Sequence, residues 1–327
     1  MLNQKHQSAT VHQKKTATAL TEFNLIKQFF TRPAQQESTR LSVGDDCALL
    51  SVPEGYDLAI TTDTMVENVH FFSDVQAEQL AHKLLAVNLS DLASMGAQPI
   101  AITLALTMPK VDADWLAAFA RGLFALADKY QLDLIGGDTT SGPLTLSVQA
   151  MGLVPKKMAL KRSTAKVGDL IYMTGSLGDA GLGLKIKQGY AEQDTQQPLQ
   201  RFNTPEPRIE EGLAIRSLAN SCIDISDGLT QDLGHILTKS AVGARLDYEN
   251  LPLSVWVLDY IQQTGDWRMP LTAGDDYELC FTITAENARK LDIPCTCIGI
   301  IEQHAGLRLQ RNNVCENFNN SGFEHFA

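Results

Sequence analysis

The sequence of 327 residues is poor in several features, and each shortage excludes a class of protein. No apolar run approaches the ~20 residues that a membrane-spanning helix needs, so no membrane is expected as a partner. Basic residues are outnumbered, with 27 Lys and Arg against 38 Asp and Glu, and the net charge of −11 argues against nucleic acid. Small phosphorylated ligands remain open, provided that an arginine or a metal offsets their charge. The six cysteines (Cys47, Cys222, Cys280, Cys295, Cys297 and Cys315) form no Cys-x-x-Cys pair. The Cys295-Thr-Cys297 spacing is wrong for a zinc knuckle. They read as reduced thiols packed as small hydrophobes, which points to the cytoplasm. There is no Walker-type G-x-x-x-x-G-K-[ST], no H-R-D loop, no H-E-x-x-H and no G-x-S-x-G. The start of the chain is polar with no apolar centre, so residues 1–18 read as a disordered tail and not as a secretory signal.

What is present is a globular composition, 44% hydrophobic and 20% charged. Pro99 to Pro109 alternates, with Ile100, Ile102, Leu104, Leu106 and Met108 on one face. That period predicts a strand, as does Leu144 to Val154. Asp112 to Tyr130 and Glu78 to Met95 read as helices, while Leu58 to Thr62 and Cys222 to Ser226 read as short strands. Helices and amphipathic strands of uneven length predict an α+β arrangement with helices on one face of each sheet. The basic link Pro155 to Ala165 divides the chain into residues 19–155 and 156–327. Gln188 to Arg208, rich in Gln and Pro, reads as a long surface loop.

The aspartates carry the chemistry. Leu80, Leu84, Val87 and Asp91 follow i, i+4, i+7, i+11, which puts Asp91 on the buried stripe of its helix. A lone buried carboxylate is costly, so a paired or metal-bound Asp91 is expected, against the alternative of a capping role. Thr61, Thr62 and Asp63 end a strand with oxygens that suit a hard cation, although Thr-Asp also starts turns. Asp224 lies in a strand, where aspartate is disfavoured, and Asp227 reads as the cap of the next helix. The pair Asp45-Asp46, the single Asp138 and the pair Asp275-Asp276 each come directly after a glycine. So many acids at glycines and strand ends suggest one multi-carboxylate centre, and oxygen-only ligands favour magnesium over zinc. The stretch Ile135-Gly-Gly-Asp-Thr-Thr-Ser-Gly142 resembles a phosphate-cradling loop with an acid in place of the usual lysine. A metal held by Asp138 would supply the missing positive charge.

Nine motifs occur in order: GDDCALL at Gly44, TTDTMVENVHF at Thr61, NLSDLASMGAQP at Asn88, IGGDTTSGP at Ile135, KRSTAKVGD at Lys161, TGSLGDAGLGL at Thr174, IDISDGL at Ile223, GDDYEL at Gly274 and GFEHF at Gly322. From about residue 22 to the end, the chain resembles the thiamine-monophosphate kinase family, relatives of aminoimidazole ribonucleotide synthetase. The resemblance implies two α/β domains of that synthetase-like fold and a homodimer whose amino-terminal sheets pack together. Residues 19–155 would then bind metal and ATP and dimerise. The implied reaction turns ATP and thiamine monophosphate into ADP and thiamine diphosphate, with several Mg²⁺ ions. By motif, Asp46, Asp63, Asp91, Asp138, Asp224 and Asp227 become metal ligands, helped by Thr61 or Thr62. Gly137, Asp138, Arg162 and Ser226 meet the nucleotide, and His70, Asp275 and Phe323 meet the thiamine phosphate. One position departs from the family, which usually has Glu where this chain has Asp275. No general base is implied, because the acceptor phosphate oxygen is already ionised near neutral pH. The alternatives are another ATP-dependent enzyme of the same superfamily, a two-metal phosphate hydrolase and a metal-binding module without turnover.

Overall fold

The computed structural model describes residues 21–190, 195–319 and 322–323. The expected tail, residues 1–18, lies outside them. The first half is built on a four-stranded sheet, in the order β3 (Tyr56–Val66), β6 (Thr145–Pro155), β4 (Gln98–Met108), β5 (Asp133–Ser141). A two-stranded ribbon, β1 (Thr39–Leu41) with β2 (Leu49–Leu50), and a short helix α1 (Glu22–Leu25) precede it. β3 runs antiparallel to β6 along its whole length, from Tyr56 opposite Pro155 to Val66 opposite Thr145. β4 and β5 are parallel and are joined through α3 (Ala113–Lys129). Asp112 caps α3, its carboxylate accepting the N–H groups of Asp114 and Trp115 at 3.1 Å.

α2 (Ala77–Ser94) is the axis of the molecule. It packs on β3, β6 and α3, and on β8 (Ser221–Asp224) and α6 (Ile209–Ile215) of the second half. Apolar side chains all round explain this: Leu80, Ala81, Leu84, Leu85, Ala86, Leu89 and Leu92 are all buried. The same apolar cluster takes in Leu279, Phe281 and Ile283 of the second sheet, so one core spans both halves.

The second sheet has the order β13 (Val314–Phe318), β12 (Gly306–Arg311), β9 (Gly243–Asp247), β11 (Cys295–Glu302), β7 (Leu170–Thr174), β10 (Leu279–Ile283), β8. Its pairs are antiparallel except β12 with β9. α7 (Leu229–Ser240) buries Leu233, Ile236 and Leu237 with Ile171, Met173, Ile223 and Ile298 of the sheet. Among the described residues no helix is long and apolar enough to cross a membrane.

Three local expectations are corrected. Ile100 does not share the face of Ile102 and Leu104. The register slips between Pro99 and Ala101, and Ile100 joins Ala101, Ile135 and Met151 in a separate cluster on the other side. The expected loop Gln188 to Arg208 contains α5 (Gln196–Asn203), which buries Phe202 and places Arg201 against an internal glutamate. The glycine-rich stretch from Ile135 lies in strand β5 and is not a free loop.

Candidate active site

Three carboxylates from three elements meet beside α2. Asp91, in the last turn of α2, accepts a hydrogen bond from the Thr61 hydroxyl. Thr61 and Asp63 are two residues apart on β3, so both face the helix. The Asp63 backbone N–H donates to the Asn88 side chain at 3.2 Å. Asp224 ends β8 and is buried, with the Ser90 hydroxyl donating to it at 2.8 Å. The close approach shows in the acidities. Burial, and then the negative charge of Asp91, raise the Asp63 pKa to about 6. Burial raises Asp91, opposed by the Thr61 hydrogen bond and the Arg162 guanidinium. Asp224 is raised well above the usual range, by burial first and by Asp91 second. Arg162, on the exposed link between the halves, is therefore a cation acting on both Asp91 and Asp224. Among the described residues no three Asp, Glu, His or Cys side chains form a ready-made metal cage.

A second group of predicted residues sits on the segment that leads from β8 into α7 and on the acidic loop before β10. Asp227 is not the helix cap. Asp232, in the first turn of α7, reaches back and accepts the N–H groups of Ser226, Asp227 and Gly228 at 3.0 to 3.1 Å. The Asp227 carboxylate is thereby released, and accepts from Gln231 at 3.2 Å. The Phe323 N–H donates to the Asp227 carbonyl at 3.2 Å, and its carbonyl accepts from the Gln231 side chain at 2.9 Å. The half-exposed Phe323 ring is thus held near Asp227. Asp275 lies in the left-handed region at φ 69°, and its N–H donates to the Ser226 carbonyl at 2.9 Å. Gly274 is required beside it, since a Cβ there would lie 2.1 Å from that same carbonyl oxygen. His70 accepts the Val66 N–H at Nδ1, 3.0 Å away, and helps to line a small cleft with Phe72, Lys83, Lys187 and Phe202.

Other predicted residues are not brought to this cluster within one chain. Asp63 and Asp138 lie on the two edge strands of the first sheet, three strand spacings or about 14 Å apart. They also face opposite ways. Asp63 pairs through Val148 to Leu104, on the helix side, whereas Asp138 pairs with Ala105, on the outer side. A bulge at Ile135 causes this: Ile102 opposes Leu134, but Thr103 opposes Gly136, so every later residue of β5 is turned over. Gly137 follows the bulge, and a Cβ there would meet the Leu104 carbonyl oxygen at 1.9 Å. Thr62 also faces outward, accepting from Gln149 at 3.3 Å. Asp46 is exposed, ahead of β2, and its N–H donates to Asp45 at 2.9 Å.

Comparison with known proteins gives this geometry a family. Residues 44–154 match AIR synthase related protein, N-terminal domain, and residues 166–292 match its C-terminal domain. A thiamine-monophosphate kinase from Haemophilus influenzae is 46% identical over 323 residues, covering 94% of this chain and 98% of the relative. The chain belongs to the thiamine-monophosphate kinase family. A crystal structure of that kinase from Stenotrophomonas maltophilia superposes with a TM-score of 0.81 at 42% identity, covering 89% of this chain and 97% of the other. AaThiL complexed with AMPPCP and TMP gives a TM-score of 0.77 at 27% identity, over 84% and 89%. The expected fold class, α+β with two domains of this synthetase-like kind, is the one found.

Sequence reasoning missed the partners of several charged groups that this kinase-family fold builds around the site. Lys83 is buried on α2, with Nζ 3.0 Å from Asp275 and 4.0 Å from the centre of the Phe202 ring. Its signal was available, since Lys83 lies three residues after Leu80 and eight before Asp91, on the same stripe. Glu278 is fully buried and bound by Arg201, Arg208 and the Thr174 hydroxyl at 2.5 to 2.6 Å. Asp276 accepts the N–H groups of Gly178 and Ala180 at 2.8 and 3.3 Å, and burial pushes its pKa to about 8. No sequence period marks these last two, because their partners come from distant segments.

Proposed function

We propose that this protein transfers the γ-phosphoryl group of ATP to thiamine monophosphate, giving thiamine diphosphate and ADP. Identity at 46% over 94% of the chain to a thiamine-monophosphate kinase is the observation that carries the reading. It is supported by a structural relative complexed with AMPPCP and TMP. The protein is thus a phosphotransferase whose acceptor is itself a phosphate group.

The side chains fit a magnesium-dependent reaction. The donors beside α2 are all oxygen, and of the three carboxylates there only Asp91 and Asp224 feel the Arg162 guanidinium, so a hard cation would find acidic ligands that one guanidinium does not balance. Asp63, Asp91 and Asp224 would hold Mg²⁺ on the helix side, with Asp227 on the adjacent segment. Asp46 and Asp138 complete the assigned ligand set from outside that cluster. Mg²⁺, when bound, supplies the positive charge that neutralises the polyphosphate. Thr61 orients Asp91 through its hydroxyl. Arg162 grips phosphate oxygens, as a planar guanidinium does well. Gly137 and Ser226 line the nucleotide, while His70, Asp275 and Phe323 meet the thiamine phosphate. Transfer is direct and in line, with positioning and charge neutralisation as the sources of rate.

A homodimer belongs to the same reading. The outer face of the first sheet carries Ile60, 57% exposed, whereas α2 packs on the opposite face. A second copy packed there covers that apolar surface and closes over Thr62 and Asp138. A cytoplasmic location suits a biosynthetic kinase with reduced thiols. Purified protein with ATP, Mg²⁺ and thiamine monophosphate tests the reading. Thiamine diphosphate and ADP in equal amounts support it. Thiamine with free phosphate would instead mark a hydrolase, and no conversion a binding module.

A further inference from the structure

We propose that Lys83 is a positioning residue for the acceptor site, holding Asp275 across the junction of the two halves. The ligand in this inference rests on the kinase reading above.

The acidic loop Asp275-Asp276-Tyr277-Glu278 is anchored residue by residue. Asp276 is taken up by the backbone N–H groups that open α4 (Asp179–Lys187), at Gly178 and Ala180. Glu278 is taken up by Arg201 and Arg208. Tyr277 lies at φ 51°, donates its N–H to the Ile225 carbonyl and turns its hydroxyl to Asp275 at 2.9 Å. Asp275 is thus the acid of the loop whose carboxylate still faces the open side, 30% exposed. Its other oxygen accepts from Lys83, which is on α2 of the opposite half and only 5% exposed. Two departures from ordinary backbone within three residues, at Asp275 and Tyr277, persist only where the surroundings over-determine them. Lys83 is the element of that restraint that comes from α2, eight residues before Asp91.

The aspartate side chain is short, with a single methylene between backbone and carboxylate. With one oxygen on Lys83 and the other on Tyr277, Asp275 is pinned at its base and has no freedom to extend. Phe202 lies against the ammonium and shields it from water, strengthening the pair. The ordered carboxylate then marks where the acceptor sits relative to the cluster on α2. The Lys83 ammonium is taken up by Asp275 and the Phe202 ring, so its effect on the reaction runs through Asp275.

The test compares wild type, K83M, K83R, D275N and K83M/D275N by calorimetric titration with thiamine monophosphate and, separately, with Mg²⁺ and AMPPCP. Wild-type turnover to thiamine diphosphate, measured alongside, reports on the kinase reading independently of the variants. K83M is expected to weaken thiamine monophosphate binding about tenfold and AMPPCP binding less than twofold, with K83R restoring most of the loss. The double variant is expected to bind no worse than D275N, because both remove one interaction. Equal loss of both ligands, unchanged binding in K83M, or additive losses in the double variant would overturn the inference. If K83M does not fold, K83Q, which keeps a polar end without the charge, takes its place and must show the same selective loss. Absence of binding to the wild type overturns this inference together with the reading on which it rests.

Discussion

Asp63→Asn is expected to stabilise the metal-free protein while impairing it as an enzyme. The Asp63 pKa is raised from its ordinary 3.8 to about 6, by burial and by Asp91. A shift of about 2.2 units at 1.36 kcal/mol each corresponds to about 3 kcal/mol. The sign follows from linkage. A carboxyl group with a raised folded pKa binds protons better when folded, so its ionised form destabilises the fold above pH 6. That cost is full at pH 7.5, shrinks as pH falls through 6 and is gone below 3.8. Asparagine keeps the shape without the charge, and the Asp63 N–H still reaches Asn88. Urea unfolding in EDTA should therefore show D63N more stable than wild type by about 3 kcal/mol at pH 7.5, and equal to it near pH 4. Saturating Mg²⁺ should reverse the order, because a bound cation favours the ionised wild type. Equal stability of the two proteins at pH 7.5 in EDTA would refute the crowding of charge on which the site rests.

Glu278→Ala should cost about 3–5 kcal/mol, because it strands Arg201 and Arg208 without their buried partner. A denaturation midpoint close to that of wild type would contradict this. Gly137→Ala places a methyl group 1.9 Å from the Leu104 carbonyl, at a φ of 152°. It should lose about 3 kcal/mol or more, or fail to accumulate as soluble protein. Thr61→Val removes the hydroxyl that donates to Asp91 and should raise the Asp91 pKa further, moving the acid limb of the pH–rate profile upward. A profile that does not move would separate Thr61 from the site.

The legible parts of this fold were the ones with a strong period. The helix expected over Asp112 to Tyr130 spans Ala113 to Lys129, and the strand from Pro99 spans Gln98 to Met108. The stripe through Leu80, Leu84, Val87 and Asp91 placed a carboxylate at the centre of the molecule, where it meets Asp63 and Asp224. Bulges were not legible. One extra residue at Ile135 turns Asp138 to the outer face, and nothing in the alternation of apolar residues announces it. Helix α5 was hidden by Gln and Pro, since its stability comes from burying Phe202 and from Arg201 on Glu278, not from propensity. Asp227 looked like a cap because the true capping acid, Asp232, acts from inside the helix. The acidic loop was visible as a motif, but its partners Lys83, Arg201 and Arg208 lie 70 to 192 residues away in sequence from the acids they bind and are joined to them only by folding.

The central claim is that carboxylates gathered beside α2 bind nucleotide through a divalent cation. Titration of AMPPCP into wild type and Asp91→Asn, with and without Mg²⁺, tests it most directly. Wild type should bind the analogue far more tightly with Mg²⁺ than without, and D91N, with an unchanged circular dichroism spectrum, should lose most of that difference. Identical Mg²⁺ dependence in the two proteins would contradict the account.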